Sequence, residues 1–501
     1  MFGSALYVLV MYSINTYLYD SLDTFDELNA QHKRSIKYVP GRKSENSKKL
    51  IDFAKFYKEA VDQLVPKLTP EEQKELNKWS NEHQIIKRAK QCDTYFKTFS
   101  PIIFDETIKK FEKAALEPFN LAFVHHIQKD IAIYESFLSL YFRPNNFYCI
   151  HLDKRADEES REALELLINC YSKKVDRGKI ILLKQNESYE VTWGGDALVR
   201  ADLDCMEKLL TFNSKKQNSW KYVSMSSGNE LPLVTYLQYH QELAKNLKGD
   251  KSAVESVPVP NMQILDRLTP KQRADCSNCP EEIKTKAYNA SWKPLVAKSP
   301  VQFSIFGSFE HSETSNIQIF KGIRNVILSV KDAEFIVHNK ISKTFMRWQT
   351  GGQFTDEHFY STLIRIQYDK KENSIFQDKG SKNDVYLHNI CPRYTPWYFG
   401  PRMGTKNVKR KACFGKYELG LCTFKILDLS GLYDPANTCL TATRFSLETD
   451  SSAVLIHLIN LMGKSFLQTK TATQKVKDHE QGPEQRFVKR IYDKLNNFLL
   501  Y

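Results

Sequence analysis

The hydrophobic positions change period twice between Leu121 and Lys154, in the stretch LAFVHHIQKDIAIYESFLSLYFRPNNFYCIHLDK. Leu121 to His125 is an apolar run, too brief for a helix and bounded by polar residues, which predicts a strand. From Lys129 onward, Ile131, Ile133, Phe137, Leu138 and Tyr141 recur at roughly helical spacing. Arg143-Pro144-Asn145-Asn146 ends that helix, because proline cannot continue it and asparagine favours turns. Phe147 to Leu152 is a second apolar run, closed by Asp153. Strand, helix and strand predict a parallel, right-handed βαβ unit. Ligands of such sheets sit at the carboxyl ends of the strands, here near His125, His126 and Asp153. No glycine-rich turn follows the first strand, so the dinucleotide fingerprint is absent and a single nucleotide held by other means fits better.

The alternation continues. Asp157 to Tyr171 reads as a helix, Lys179 to Leu183 as a strand, Ala197 to Leu210 as a helix, and Tyr222 to Met225 as a strand. This predicts an α/β domain with a parallel sheet. Asn246 to Ser299 is polar and proline-bearing, which predicts a long surface loop, and a less regular block runs from Val301 to about Leu461. Upstream, Lys33 to Pro118 is highly charged, with a helical stripe of Leu50, Phe53, Phe56, Tyr57 and Val61 and a helix start at Thr69-Pro70-Glu71-Glu72. Phe2 to Tyr19 is apolar and uncharged, at the short end of the roughly 17–25 residues a spanning helix needs. No small-residue cleavage site follows it, and Asp20, Asp23, Asp26 and Glu27 lie beyond, which favours an uncleaved anchor with a cytoplasmic N-terminus, a buried helix or an incomplete start to the chain being the alternative. The tail from Lys470 is basic, with Phe487, Ile491, Leu495 and Leu499 near helical spacing.

Composition adds the compartment. The net charge of +13 suits nucleic acid, an acidic membrane or a phosphorylated small molecule. Arginine-rich tracts and zinc-finger spacings are absent, so no nucleic-acid partner is expected. Ten scattered cysteines fit oxidised pairs in a secretory compartment. Acceptor sequons at Asn186-Glu187-Ser188 and Asn289-Ala290-Ser291 agree with that reading. Cys276-Ser277-Asn278-Cys279 is open between a local disulfide and half of a metal site, although no second CxxC completes one.

FVHH, NNFYCIHLDK, ADLDCM, WKYVSMSSGNELPL and TDEHFYSTL resemble, in this order, the core-2/I-branching β-1,6-N-acetylglucosaminyltransferase family (glycosyltransferase family 14), over roughly Phe119 to Leu461. The resemblance implies a single-pass type II Golgi membrane protein with a luminal catalytic domain of GT-A-like, Rossmann-like α/β fold. It implies inverting transfer of GlcNAc from UDP-GlcNAc to a hydroxyl, the 6-OH, of an O-glycan or related acceptor on a glycoprotein or glycolipid, with no metal cofactor. A related UDP-sugar transferase such as a xylosyltransferase, or an inactive carbohydrate-binding member, is the alternative. The corresponding division is an anchor at 1–19, a helical stem at 20–118, a nucleotide-sugar half at 119–300, an acceptor and catalytic half at 301–461 and a basic tail at 462–501.

Asp202-Leu203-Asp204 matches the DxD pattern that holds Mn²⁺ on a diphosphate in many glycosyltransferases. It falls inside a helical segment with Leu203, Met206 and Leu210 on one face, where aspartates two apart point in different directions. Without a metal, protein cations must neutralise the departing UDP. The resemblance points to Arg410, or its neighbour Lys409, in VKRKACFG, and to Arg444 in ATRFSLETD, where lysine is usual in the family. The alternative for the first cluster is a solvated basic face. His125 and Asp153 fall at the nucleotide-sugar end, Asp153 either serving the ribose or uracil or capping the following helix. Glu255 and Arg267 match the family's charged acceptor contacts, and Trp397 its aromatic sugar platform, a buried core tryptophan being the alternative. In GQFTDEHFYSTLIRI, Thr355 is placed to cap a helix whose first turn holds Asp356 and Glu357. The resemblance makes Glu357 the general base and leaves Asp356 a helix-start residue. It also implies disulfides Cys149–Cys205 and Cys92–Cys170.

Overall fold

The structure, a computed structural model, describes residues 81–99, 109, 112–113, 115–116, 119–175, 179–213, 219–248, 250–258, 264–265, 267–277, 279, 281, 284, 302–305, 317–369, 390–397, 400–401, 413–425, 428–433, 437–450, 453–454, 457–458, 460–461 and 464–465. The segment 1–19 expected to be an anchor, the part of the expected stem before residue 81, Asn289, Lys409 to Lys411 and the tail from Lys470 lie outside the described residues.

In chain order, helices α1 (Glu82–Ala89) and α2 (Cys92–Phe99) precede strand β1 (Asn120–Ile127), helix α3 (Ile131–Tyr141) and strand β2 (Phe147–Leu152). Helix α4 (Glu158–Ser172), β3 (Ile180–Leu182), α5 (Ala197–Asn213), β4 (Trp220–Ser227), β5 (Leu231–Pro232) and α6 (Tyr236–Asn246) follow. Then come β6 (Ile327–Ser329), α7 (Val330–His338), α8 (Lys340–Gln349), α9 (Thr355–Asp369), β7 (Cys391–Tyr394), β8 (Lys416–Glu418), β9 (Leu421–Thr423) and β10 (Cys439–Ala442).

The central sheet has five strands in the order β6-β4-β1-β2-β3. β1 is parallel to β2 and β4, β2 is parallel to β3, and β6 closes the edge antiparallel to β4. Both faces are covered, which is why β1 and β2 read as nearly unbroken apolar runs. Leu121, Phe123 and Ile127 enter one core with α3 and α4, while Ala122 and Val124 enter the other with α5, α7 and α9. α3 is buried on nearly every side, and Asp157 caps α4 by accepting from Ser160 N at 2.7 Å.

Two expectations change. The segment after Asn246 is not a surface loop where it is described: Ser252 to Ser256 are buried, and Ala253 bridges to Ile327 beside the central sheet. Its apolar residues, Ala253 in one core and Val254, Ile264 and Leu265 in the other, pack without a helical or alternating period, so no pattern announced them. Residues within the segment expected as stem also pack into this domain. Ile85, Ile86, Tyr95 and Phe96 belong to the same core as α3 and α4, and Arg88 on α1 pairs with the buried Glu135 on α3 (Nε to Oε1 2.7 Å).

All ten cysteines are bonded: Cys92–Cys170, Cys149–Cys205, Cys276–Cys279, Cys391–Cys439 and Cys413–Cys422. Cys276 and Cys279 bond to each other, so neither thiol is left for a metal. Cys149–Cys205 ties β2 to α5 across a 56-residue separation, and chain-entropy arguments assign such a loop roughly 4 kcal/mol of stability. Replacing both cysteines by alanine should therefore lower the denaturant midpoint by the equivalent of about 2–4 kcal/mol, measured with the other four disulfides intact. An unchanged midpoint would mean that the sheet and α5 hold together without it.

Candidate active site

The two histidines that end β1 point opposite ways. His125 faces α3, its ring 4.5 Å from that of Phe137 and its Nδ1 2.5 Å from Ser226 Oγ. It is buried and its side chain does not line the cleft. Strand alternation carries His126 to the other face, toward α5. There it joins a chain of buried polar groups. Tyr189 N donates to His151 Nε2 (2.9 Å), so His151 carries its proton on Nδ1 and donates to His126 Nδ1 (3.3 Å). His126 then carries its proton on Nε2 and donates to Asp202 Oδ1 (2.6 Å). Arg324 grips the same carboxylate with Nε (2.9 Å) and Nη2 (2.6 Å), and Tyr360 Oη donates to it at 2.9 Å.

Burial alone would raise the Asp202 pKa, but the Arg324 guanidinium and His126 hold the carboxyl well below the usual carboxylate range. Burial and the Arg324 charge depress His126 to about 4, and burial and His126 depress His151 to about 3. Asp204 points elsewhere and accepts from Tyr189 Oη at 2.7 Å. The two aspartates of the DxD-like triplet thus serve different partners.

Above this floor lies a cleft of about 700 Å3 at the carboxyl ends of β1 and β2, a volume suited to a small ligand. Asp153, Arg267, Asp356, Glu357 and Arg444 all line it. Asp153 accepts from Arg155 N (2.9 Å), Nε (3.1 Å) and Nη2 (3.0 Å) and from Val191 N (3.1 Å). Burial would raise its pKa, and these bonds outweigh burial and lower it. The cap of α4 is Asp157, so Asp153 is left to shape the cleft wall.

Glu357 sits in the first turn of α9, with Lys321 Nζ at 2.7 Å and Arg267 Nη1 at 2.5 Å from Oε2. Burial pushes its carboxyl up, but the two cations prevail and keep it ionised. Arg267 also donates to His358 Nε2 (3.0 Å) and stacks on the Phe354 ring (4.4 Å). Asp356, its neighbour, is pushed up to about 6 by burial and by the Glu357 charge. Thr355 does not cap α9; among the described residues its buried Oγ1 has no hydrogen-bond partner. Gly322, beside Lys321, has no room for a side chain, because a Cβ would lie 2.1 Å from Glu255 O. Glu255 itself is buried behind that contact, outside the cleft lining.

Arg444 reaches the cleft from beside the β8–β9 hairpin, with Nη1 3.3 Å from Glu418 Oε2. Trp397 pairs its backbone with Leu421 of β9, and its side chain lies outside the described residues, as does Arg410. Asn186 is exposed in a single turn at Gln185–Glu187. The structure therefore brings Asp153, Arg267, Glu357 and Arg444 into one cleft and leaves His125 and Glu255 behind it. Sequence reasoning missed Lys321, Arg324 and the role of His126. Lys321 and Arg324 lie in IFKGIRN, which carries no periodicity and no motif.

Residues 121–428 match the family described as Branch, Core-2/I-Branching enzyme. Human N-acetyllactosaminide beta-1,6-N-acetylglucosaminyl-transferase is 25% identical over 359 residues, 71% of this chain and 75% of the relative. Mouse beta-1,3-galactosyl-O-glycosyl-glycoprotein beta-1,6-N-acetylglucosaminyltransferase 3 is 22% identical over 441 residues, 87% of this chain and 88% of the relative. A crystal structure of mouse xyloside xylosyltransferase 1 aligns with 50% of this chain and 83% of its own at 11% identity, and its TM-score of 0.25 is too low to carry a fold assignment.

The histidine chain makes stability depend on pH. His126 and His151 are neutral in the fold with depressed pKa values, whereas unfolded imidazoles titrate near 6.5. As pH falls below about 6.5 the unfolded chain takes up protons that the folded chain refuses, so stability is lost toward pH 4, at up to about 1.4 kcal/mol per pH unit for each histidine. Chemical denaturation at pH 7, 6, 5 and 4 should show that decline, and His126→Gln should make it shallower. Equal slopes for the two proteins would mean that His126 is not held neutral.

Proposed function

The chain belongs to the core-2/I-branching enzyme family, and on that footing we propose that it is an inverting glycosyltransferase that moves GlcNAc from UDP-GlcNAc to the 6-hydroxyl of a glycan acceptor. The observation that carries the reading is Glu357, an ionised carboxylate inside a strand-end cleft that also holds Asp153 and Arg444. In an inverting transfer the acceptor oxygen attacks the anomeric carbon from the face opposite UDP. Its proton passes to a carboxylate within hydrogen-bond reach, the role assigned to Glu357. Lys321 and Arg267 keep that carboxylate ionised, and Arg267, beside it in the cleft, is assigned to the acceptor. Charge gathers on the diphosphate as the bond breaks, and Arg444, with Arg410, supplies the opposing charge. Asp153 is assigned to the uridine at the strand ends.

The reading includes metal independence. Asp202 spends its oxygens on Arg324, His126 and Tyr360, and Asp204 turns to Tyr189, so the DxD-like triplet presents no pair of carboxylates to a cation. It also includes a secretory setting, a Golgi membrane protein anchored through residues 2–19 with its catalytic domain in the lumen. Five disulfides that leave no free thiol support an oxidising compartment. Among the described residues no helix is long and apolar enough to cross a membrane.

Transfer from UDP-GlcNAc to Galβ1-3GalNAc and to polylactosamine acceptors tests the proposal, and a panel of other UDP-sugars separates it from a xylosyl or related transfer. Activity should survive excess EDTA. Glu357→Gln should lower kcat by at least about 100-fold while calorimetry shows UDP-GlcNAc binding retained. Normal turnover by that variant would remove Glu357 from the mechanism, and loss of activity on chelation, restored by Mn²⁺, would remove the metal-free reading.

A further inference from the structure

The β8–β9 hairpin carries a leucine where hairpin chemistry does not ask for one. Its strands pair Lys416 with Thr423, Tyr417 with Cys422 and Glu418 with Leu421, leaving Leu419-Gly420 as a two-residue turn. Both turn residues have positive φ, 50° at Leu419 and 82° at Gly420, the arrangement for which asparagine, aspartate or glycine is the usual first residue. A bulky side chain in the left-handed region is strained, and such strain persists where something compensates for it. Packing within the protein does not, because Leu419 is 61% exposed.

The hairpin is nevertheless held firmly. Cys413–Cys422 staples its base, and the Asp428 carboxylate accepts from Phe414 N (2.9 Å), Gly415 N (3.2 Å) and Lys425 N (2.8 Å). Gly415 leaves no room for a Cβ against Thr423 O. Arg444 is tied to the same element: its N donates to Cys422 O (3.2 Å), its O accepts from Phe424 N (2.9 Å), and its side chain pairs with Glu418. The fixed tip lines the cleft alongside Gln128, Lys129 and Asp130, which leave the carboxyl end of β1. A strained, solvent-facing leucine is thus aimed at the donor end of the cleft, next to a cation assigned to the diphosphate.

We propose that Leu419 is a donor-contact residue: its side chain closes over the bound nucleotide sugar, and Glu418 behind it holds Arg444 in position against the diphosphate. This deepens the reading given under Proposed function and rests on it. Burying the leucine against the ligand is the gain that compensates for its exposure and strain in the free protein.

Leu419→Asn isolates the contact, since asparagine suits the left-handed position and keeps the turn while losing the apolar surface. Isothermal titration of UDP-GlcNAc and of UDP into the wild-type chain and the variant should show an approximately tenfold rise in Kd for the variant, the order expected for losing much of a leucine's burial. The thermal midpoint should be unchanged or higher. A loss equal for UDP and UDP-GlcNAc places the contact on the uridine, and a loss confined to UDP-GlcNAc places it on the sugar; either supports the proposal. Unchanged donor affinity in a folded variant overturns it, as does a rise confined to the KM of the glycan acceptor. If the wild-type chain binds neither UDP nor UDP-GlcNAc, the donor reading fails and takes this inference with it.

Discussion

Asp202 and Arg324 meet beneath the cleft with both side chains almost fully buried, and neither charge could be left there alone. Breaking such a pair strands an uncompensated ion and costs about 3–5 kcal/mol, so whatever holds one partner must hold the other. Asp202 comes from α5, Arg324 from the turn before β6, His126 from β1 and Tyr360 from α9. The carboxylate therefore fixes four elements against one another directly under the site. Through His151 it also reaches the loop at Tyr189, two residues before Val191 binds Asp153. The cleft wall, the floor and the helix that carries Glu357 are positioned by one buried anion.

Charge is distributed in the same spirit above the floor. Lys321 and Arg267 lower the Glu357 pKa, which keeps the carboxylate ionised and, in the role proposed for it, makes it a weaker base. In the proposed mechanism, an acceptor that took over one of those cation contacts would raise that basicity, which would couple substrate binding to base strength. Across the cleft Glu418 plays the corresponding part for Arg444, holding its guanidinium at the cleft lining.

Much of the frame was legible because period carries it. The spacing from Leu121 to Leu152 and the stripe of Leu203, Met206 and Leu210 are local signals, and the strands and helices stand within a few residues of where they predict. The same buried character concealed which histidine serves the site. When both faces of a strand are apolar, no alternation of polarity tells His125 from His126. Helical spacing showed that Asp202 and Asp204 diverge, but the partner that saturates Asp202 lies 122 residues away. Arg267 and Glu357, 90 residues apart, could be joined only by resemblance. Lys321 and Leu419 had no signal at all, because each matters only through what the fold places opposite it.

The central claim is a single displacement in which a protein carboxylate takes the acceptor proton and protein cations receive the diphosphate. Proton NMR of the product formed from UDP-GlcNAc in the presence of excess EDTA tests it most directly, since it reads the anomeric configuration and the metal requirement in one experiment. The product should carry a β-linked GlcNAc, inverted from the α-linked donor, and form at an undiminished rate. An α-linked product, or none until Mn²⁺ is restored, would contradict it.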